Sequence, residues 1–326
     1  MPRYDVVIVG AGIAGPALAH GLSTLPRTRK PRIALLERSL AEPDRIIGEL
    51  LQPAGVTALH QLGLEGCLEG LDAIPVRGYC ALHSGKLVHI PYPNGYEGRS
   101  FHHGRFVMSL RAAAKRAEGV ELIEATATEL IEYGGRVVGV KATQKMQEEE
   151  CKEEYYADIV IMADGSFSNF RSSVMGCALA KPVTNSYFCG VILEDVTLPM
   201  PKHGTAALIQ GSGPVLMYQI SEHQTRLLVS IKHPLPADLK VRYHLSWILD
   251  LFSDPHFGSH ISSLVSFPNY QHHSIQPSTK HSTKTVSDAC HVPSSLQSYK
   301  VPPHLRLVSS SLVMRGICDI PLLVVV

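Results

Sequence analysis

Hydrophobic residues first gather at Tyr4–Val9 (YDVVIV), an apolar, β-branched run without the alternation of a half-exposed strand. Such a run predicts a parallel strand buried on both faces. Small residues then interrupt it at Gly10-Ala11-Gly12-Ile13-Ala14-Gly15, and an apolar stretch of helical character continues to about Leu25. A second buried strand is predicted over Arg32–Leu36 (RIALL), ending at Glu37. Residues 118–157 read as strands with a hairpin near Val137–Val140, and the charged run Gln147–Glu154 (QEEECKEE) reads as a solvated loop tip. Asp158–Met162 (DIVIM) is a further apolar strand, running into Ala163-Asp164-Gly165, a turn signal. Tyr187–Ile192 and Val215–Ile231 alternate well enough to be core strands whatever the function.

Composition narrows the class. At 326 residues and 45% hydrophobic content, the chain can bury a large core as one large or two ordinary domains. A net charge of +1 removes the electrostatic case for nucleic acid. The seven Cys form no CxxC pair, which suits reduced thiols in a cytosol-facing protein. No apolar run reaches the roughly 18 residues that a membrane span needs, and a strand follows Met1 almost at once, so no signal peptide is expected.

The glycine run gains meaning from its surroundings. Gly10 permits the tight turn, Gly12 lets the backbone approach a pyrophosphate, and Gly15 lets the helix pack on the strand. Unpaired N–H groups at the helix start then face the phosphates. Glu37, at the end of the second strand, is placed to accept hydrogen bonds from ribose hydroxyls. Strand, turn, helix, strand and acid together form a Rossmann-like dinucleotide unit. Alone, Asp164-Gly165 is an ordinary turn; together with this unit, it matches the second strand end of two-domain flavoproteins and argues for FAD over NAD.

More specific segments follow in order: Glu42–Pro53 (EPDRIIGELLQP), Gly70–Ala73 (GLDA), Gly78-Tyr79, Ile90–Pro93 (IPYP), Gly98–Phe106 (GRSFHHGRF), Met108–Arg111 (MSLR) and Pro214–Ile220 (PVLMYQI). In this order and spacing they closely resemble squalene monooxygenase (squalene epoxidase) of the fungal type, over about residues 4–240. The resemblance implies an FAD-dependent enzyme that epoxidises squalene to 2,3-oxidosqualene early in sterol synthesis. Electrons would come from an NADPH-dependent reductase partner, at the cytosolic face of the endoplasmic reticulum membrane. It places Ile13 and Ala14 on the pyrophosphate turn, Glu37 and Arg38 at the adenosine ribose, and Arg45 and Leu50 along the cofactor. Arg111 and Ala127 match further FAD contacts, and Tyr79 matches a tyrosine near the flavin that matters for activity. Independently of the family, Arg45 and Arg111 suit phosphate or flavin through their planar donors, with a surface salt bridge as the competing use. His102-His103 lack a surrounding ligand set and read as structural, and no metal site is expected.

After Lys240 the resemblance stops, and residues 241–326 are rich in His, Ser and Pro without periodicity. Val313–Val326 (VMRGICDIPLLVVV) can be encoded so that a shift of one base spells GDAWNMRHPLTGGGM, the segment that the family carries near the flavin. The same shift makes Cys290–Gln297 resemble MPxxFLPP and makes Phe267–Gln271 compatible with LPQLP. The break lies between Lys240 and about Leu264, from a retained intron or a frameshift, so 241–326 is expected to be a non-native tail that should not be read as a metal site or an anchor.

The expected fold is α/β: an FAD-binding domain of residues 1–75 and 100–175 interleaved with a β-rich substrate sheet of residues 76–99 and 176–240. The competing readings are a truncated, non-catalytic flavoprotein or pseudogene product, and a flavin monooxygenase of another terpenoid pathway.

Overall fold

The computed structural model describes residues 3–46, 48–83, 86–146, 149–176, 184–208, 213–232, 314–315 and 324–325. Strands β1 (Arg3–Val9) and β2 (Ile33–Glu37) flank helix α1 (Ala14–Thr24), as the sequence pattern requires. The helix stops at Leu25, whose ψ of 138° is the extended value favoured before a proline, here Pro26. The short strand β3 (Leu50–Leu51) and helix α2 (Pro53–Gln61) follow, the helix opening on a proline at its first position. Next come β4 (Ile74–Val76), β5 (Gly78–His83), β6 (Lys86–Pro91) and β7 (Gly98–Ser100). Helix α3 (His103–Arg116) ends on Lys115 and Arg116, cations that suit a helix C-terminus.

The first sheet continues with β8 (Val120–Glu124), β9 (Thr126–Tyr133), β10 (Arg136–Met146) and β11 (Glu149–Met162), in the spatial order β8-β2-β1-β11-β10-β9. From β8 to β11 the pairing is parallel, while β9 and β10 run antiparallel. Val6, Ile8, Ile33 and Leu35 pack with Ala19 of α1 and Ala114 of α3 on one face. Val7, Val9, Ala34 and Leu36 point the other way and pack with Val140, Ala142 and Tyr155. Ile8, Ile33 and Leu35 are fully buried, each worth about 1.5–3 kcal/mol against exposure.

The charged run corrects one expectation. Glu149–Glu154 is strand, not loop tip, while Gln147 and Glu148 lie outside the described residues. The register explains it: Lys141 stands opposite Glu154, so unlike charges face each other across the ladder.

After helix α4 (Arg171–Met175), the second sheet is built from β12 (Ser186–Glu194), β13 (Gly204–Leu208), β14 (Val215–Gln219) and β15 (Gln224–Lys232). Its order continues β12-β15-β14-β13-β5-β6, with β13 and β5 the parallel pair. Cys80, Leu193, Met217 and Leu227 make one face an apolar core beneath Val196 and Leu198. A small sheet, β3-β7-β4, is formed by strands that fall between β2 and β8 in sequence. Two short strands complete the sheets: β16 (Met314–Arg315) pairs with β12 at the edge of the second, and β17 (Val324–Val325) with the interior strand β11 of the first. Otherwise the expectations for 241–326 lie outside the described residues. Among the described residues no helix is long and apolar enough to cross a membrane.

Candidate functional site

The glycine turn between β1 and α1 is packed behind and bare in front. A Cβ on Gly15 would lie 1.9 Å from the Gly10 carbonyl oxygen, and one on Gly10 would lie 2.4 Å from the Ala163 oxygen. Gly10 also holds a φ of +103°, which only glycine adopts readily. A Cβ on Gly12 would meet no heavy atom within 4 Å. Ile13 and Ala14 are exposed beside it, and α1 begins without a side-chain cap or a first-turn acid. The helix N–H groups therefore open onto free space of the kind a pyrophosphate takes.

Glu37 and Arg111 hold this turn. The Ala11 N–H donates to Glu37 Oε2 at 2.7 Å, and Arg111 donates from Nε to the Ala11 carbonyl at 2.7 Å. Arg111 also donates to the Ala41 carbonyl at 3.1 Å, and its guanidinium lies 3.5 Å from Glu37. Burial pulls the guanidinium pKa downward, against the attraction of Glu37 and Glu124. Its donors thus brace the backbone on both sides of the nucleotide unit. Glu37 Oε1 receives only the Ser39 N–H at 3.4 Å and retains acceptor capacity for a ribose. Arg38 is exposed next to it. Ala127 lies close by in the chain, because Ala125 N–H donates to the Glu37 carbonyl at 2.8 Å. Asp164 sits at the same strand ends, its Cα 2.8 Å from where a Gly10 Cβ would be.

A second group gathers where the segment after β2 meets the second sheet. Arg45 is exposed on that segment. Leu50 Cδ1 comes within 3.6 Å of a Cβ built on Gly204, and the Tyr79 ring within 3.0 Å of it. The Gln52 amide lies between two phenols, donating to the Tyr79 hydroxyl and accepting from Tyr92 at 2.6 Å. The two rings meet edge to face at 5.8 Å. Burial, helped by the neighbouring Tyr79 hydroxyl, pushes the Tyr92 phenol far above its usual range, so it remains a donor.

Beneath them runs a buried ion pair that the sequence reading missed. Arg226 of β15 donates to both oxygens of Glu49, at 2.7 and 2.8 Å, with Glu49 2% and Arg226 6% exposed. Tyr218 of β14 donates to the same carboxylate at 3.2 Å, and burial with the Glu49 charge drives its phenol upward too. His102 donates to Gln224 at 2.8 Å, and burial lowers its pKa. One signal was available: an arginine directly before the apolar run Leu227–Ile231, in the same strand, needs a buried acid.

The structure thus brings Gly10–Gly15, Glu37, Arg111 and Asp164 together at one end, and Leu50 and Tyr79 at the other. The Glu42–Pro53 segment joins them. The family model described as SE: Squalene epoxidase matches residues 156–248. The squalene epoxidase of Aspergillus fumigatus is 45% identical over 244 residues, covering 72% of this chain and 48% of that protein. The squalene monooxygenase of Mus musculus is 41% identical over 243 residues, covering 72% and 41%. Over this stretch the chain belongs to the squalene epoxidase family. It spans about half the length of the curated squalene epoxidases it matches. Among solved structures, the myxobacterial chondrochloren halogenase CndH, described as a variant of FAD-dependent halogenases, shares the fold at a TM-score of 0.66. That likeness has 20% identity and covers 82% of this chain and 61% of that one. The mixed α/β architecture is the expected one, a Rossmann-like unit interleaved with a β-rich sheet, of the flavoprotein-hydroxylase type.

Proposed function

We propose that this chain carries the FAD cradle and the substrate sheet of a squalene monooxygenase, and that as it stands it does not turn over. The observation that carries the reading is where the family match falls. Residues 156–248 include β12 to β15, strands of the sheet that carries Tyr79 and meets Leu50, and not the glycine turn that many nucleotide-binding proteins share. Gly12, Ile13 and Ala14 would receive the pyrophosphate of FAD, Glu37 and Arg38 the ribose, with Ala127 beside them. Arg45, Leu50 and Asp164 would line the rest of the cofactor, with Arg111 holding the turn in shape. The bare space at Gly12 fits that assignment.

FAD supplies the oxygen chemistry when bound, with electrons from an NADPH-dependent reductase. The chain's own residues orient and exclude water. Tyr79, held by Gln52 against Tyr92, borders the place where the double bond of squalene would lie. Glu49 and Arg226 keep that border attached to the sheet. The reaction would take place at the endoplasmic reticulum membrane, where an apolar terpene is available.

Residues beyond the end of the family match at 248 belong to this proposal as an out-of-frame tail. The test compares the 326-residue chain with one restored to the shifted frame from about residue 264 onward. Bound flavin is quantified after denaturation, and 2,3-oxidosqualene is measured with squalene, NADPH and a reductase. Flavin and product from the restored chain alone are expected. Product from the 326-residue chain would overturn its inactivity, and no product from the restored chain would overturn the substrate.

A further inference from the structure

His89 and His203 lie 114 positions apart in sequence, yet their Nε2 atoms face each other at 3.0 Å. His89 is exposed on β6, the edge strand of the second sheet, opposite Cys80. His203 immediately precedes β13 in a turn whose geometry is fixed twice over. Lys202 takes a left-handed φ of 59°, and its carbonyl accepts the Arg77 N–H at 2.8 Å. His203 Nδ1 lies 2.8 Å from the Pro201 carbonyl oxygen, which can only accept. The proton of neutral His203 therefore sits on Nδ1, and the Nε2 lone pair faces outward. A backbone carbonyl holding the remote ring nitrogen is the arrangement that orients metal-bound histidines.

We propose that His89 and His203 form a two-imidazole site for a late first-row divalent ion that favours right-angled coordination, Cu(II) or Ni(II). The distances carry this choice. An ion about 2.05 Å from nitrogens 3.0 Å apart subtends an angle of about 94° between them, square-planar or octahedral, not tetrahedral. That geometry would hold the two ring centres about 4.7 Å apart, and they lie 4.8 Å apart at an interplanar angle of 74°. A straight N–H···N bond along both ring axes would separate them further, to about 5.3 Å. Without metal, His89 donates its Nε2 proton to His203; with metal, that proton moves to His89 Nδ1 and both Nε2 atoms bind the ion. Among the described residues no group of three or more His, Cys, Asp or Glu gathers at one point, so water completes the coordination. The ion would clip the β5–β6 hairpin to the turn before β13.

The test titrates the full chain with NiCl2, and in parallel with ZnCl2, by calorimetry. His89→Asn and His203→Asn are compared after thermal melts show that both fold like the parent chain. Because the chain carries further His residues after residue 240, the readout is the difference between chains. One Ni(II) site should weaken at least tenfold in either single variant, with no further loss in the double variant and weaker Zn(II) binding at that site. Cu(II) electron paramagnetic resonance should show two coordinated imidazoles in the parent and one fewer in each variant. Equal Ni(II) binding in all chains, loss in one variant only, or preference for Zn(II) would overturn the proposal.

Discussion

Glu49 grips Arg226 with both carboxylate oxygens, at 2.7 and 2.8 Å, across 177 positions of sequence and almost out of reach of water. This pair fastens the Glu42–Pro53 segment to the second sheet, and Tyr218 adds a third hydrogen bond. Removing one partner leaves the other charge buried alone. Glu49→Gln should therefore cost about 3–5 kcal/mol, while Glu49→Leu with Arg226→Leu should recover most of it. Urea unfolding of the two variants and the parent checks this, and a double variant no better than the single one would show that the pair is not the source.

Two glycines in one turn should behave oppositely. Gly15→Ala drives a methyl to within 1.9 Å of the Gly10 carbonyl, so the helix must move and the melting temperature must fall. Gly12→Ala meets nothing within 4 Å and should leave the melt unchanged or slightly higher. In the chain restored to the shifted frame it would nevertheless fill the space assigned to the pyrophosphate, so FAD binding there should fall at least tenfold. A flavin fluorescence titration beside the thermal melt separates the two effects.

Tyr4 ties stability to alkaline pH. Burial, and then its hydrogen bond to Glu121 at 2.7 Å, push its phenol up to about 12. The folded state holds that proton more tightly than the unfolded chain, whose phenol titrates near pH 10. The stabilisation is complete below pH 10 and is lost as pH rises from 10 to 12, an amount of about 2–3 kcal/mol. Tyr155, raised by burial and Glu153, acts in the same direction. Unfolding free energy measured by urea between pH 9 and pH 11.5 should drop steadily, and Tyr4→Phe should flatten the slope.

The transcript offers a separate check on residues 241–326. Sequencing cDNA across the codons from Lys240 onward should reveal a spliced form that reads through LPQLP to GDAxNMRHPLTGGGM. A transcript identical to the present reading would favour a frameshift in the gene over a retained intron.

What could be read in the sequence follows from the range of each interaction. Tyr4–Val9, the glycine turn and Ile33–Glu37 are local patterns, and the first two strands with their helix are where the residues put them. Glu149–Glu154 misled because charge was weighed along the chain, whereas Lys141 stands opposite Glu154 across a ladder. Arg111 could be recognised as a cation near the cofactor turn, but its bonds to Ala11 and Ala41 depend on how α3 packs. Glu49 and Arg226, like His89 and His203, meet only through the finished topology, and no local spacing encodes such pairs.

That topology also imposes an order of events on the ribosome. Strand β1 pairs on one side with β2, but on the other with β11, where Val6 stands beside Ile159. At synthesis rates of about 5–20 residues per second, the intervening stretch of about 150 residues takes roughly 8–30 s to emerge. Throughout that interval an apolar strand waits with one edge unpaired, open to any other nascent strand. Nascent chains crowded on one message would be most prone to tangle during those seconds.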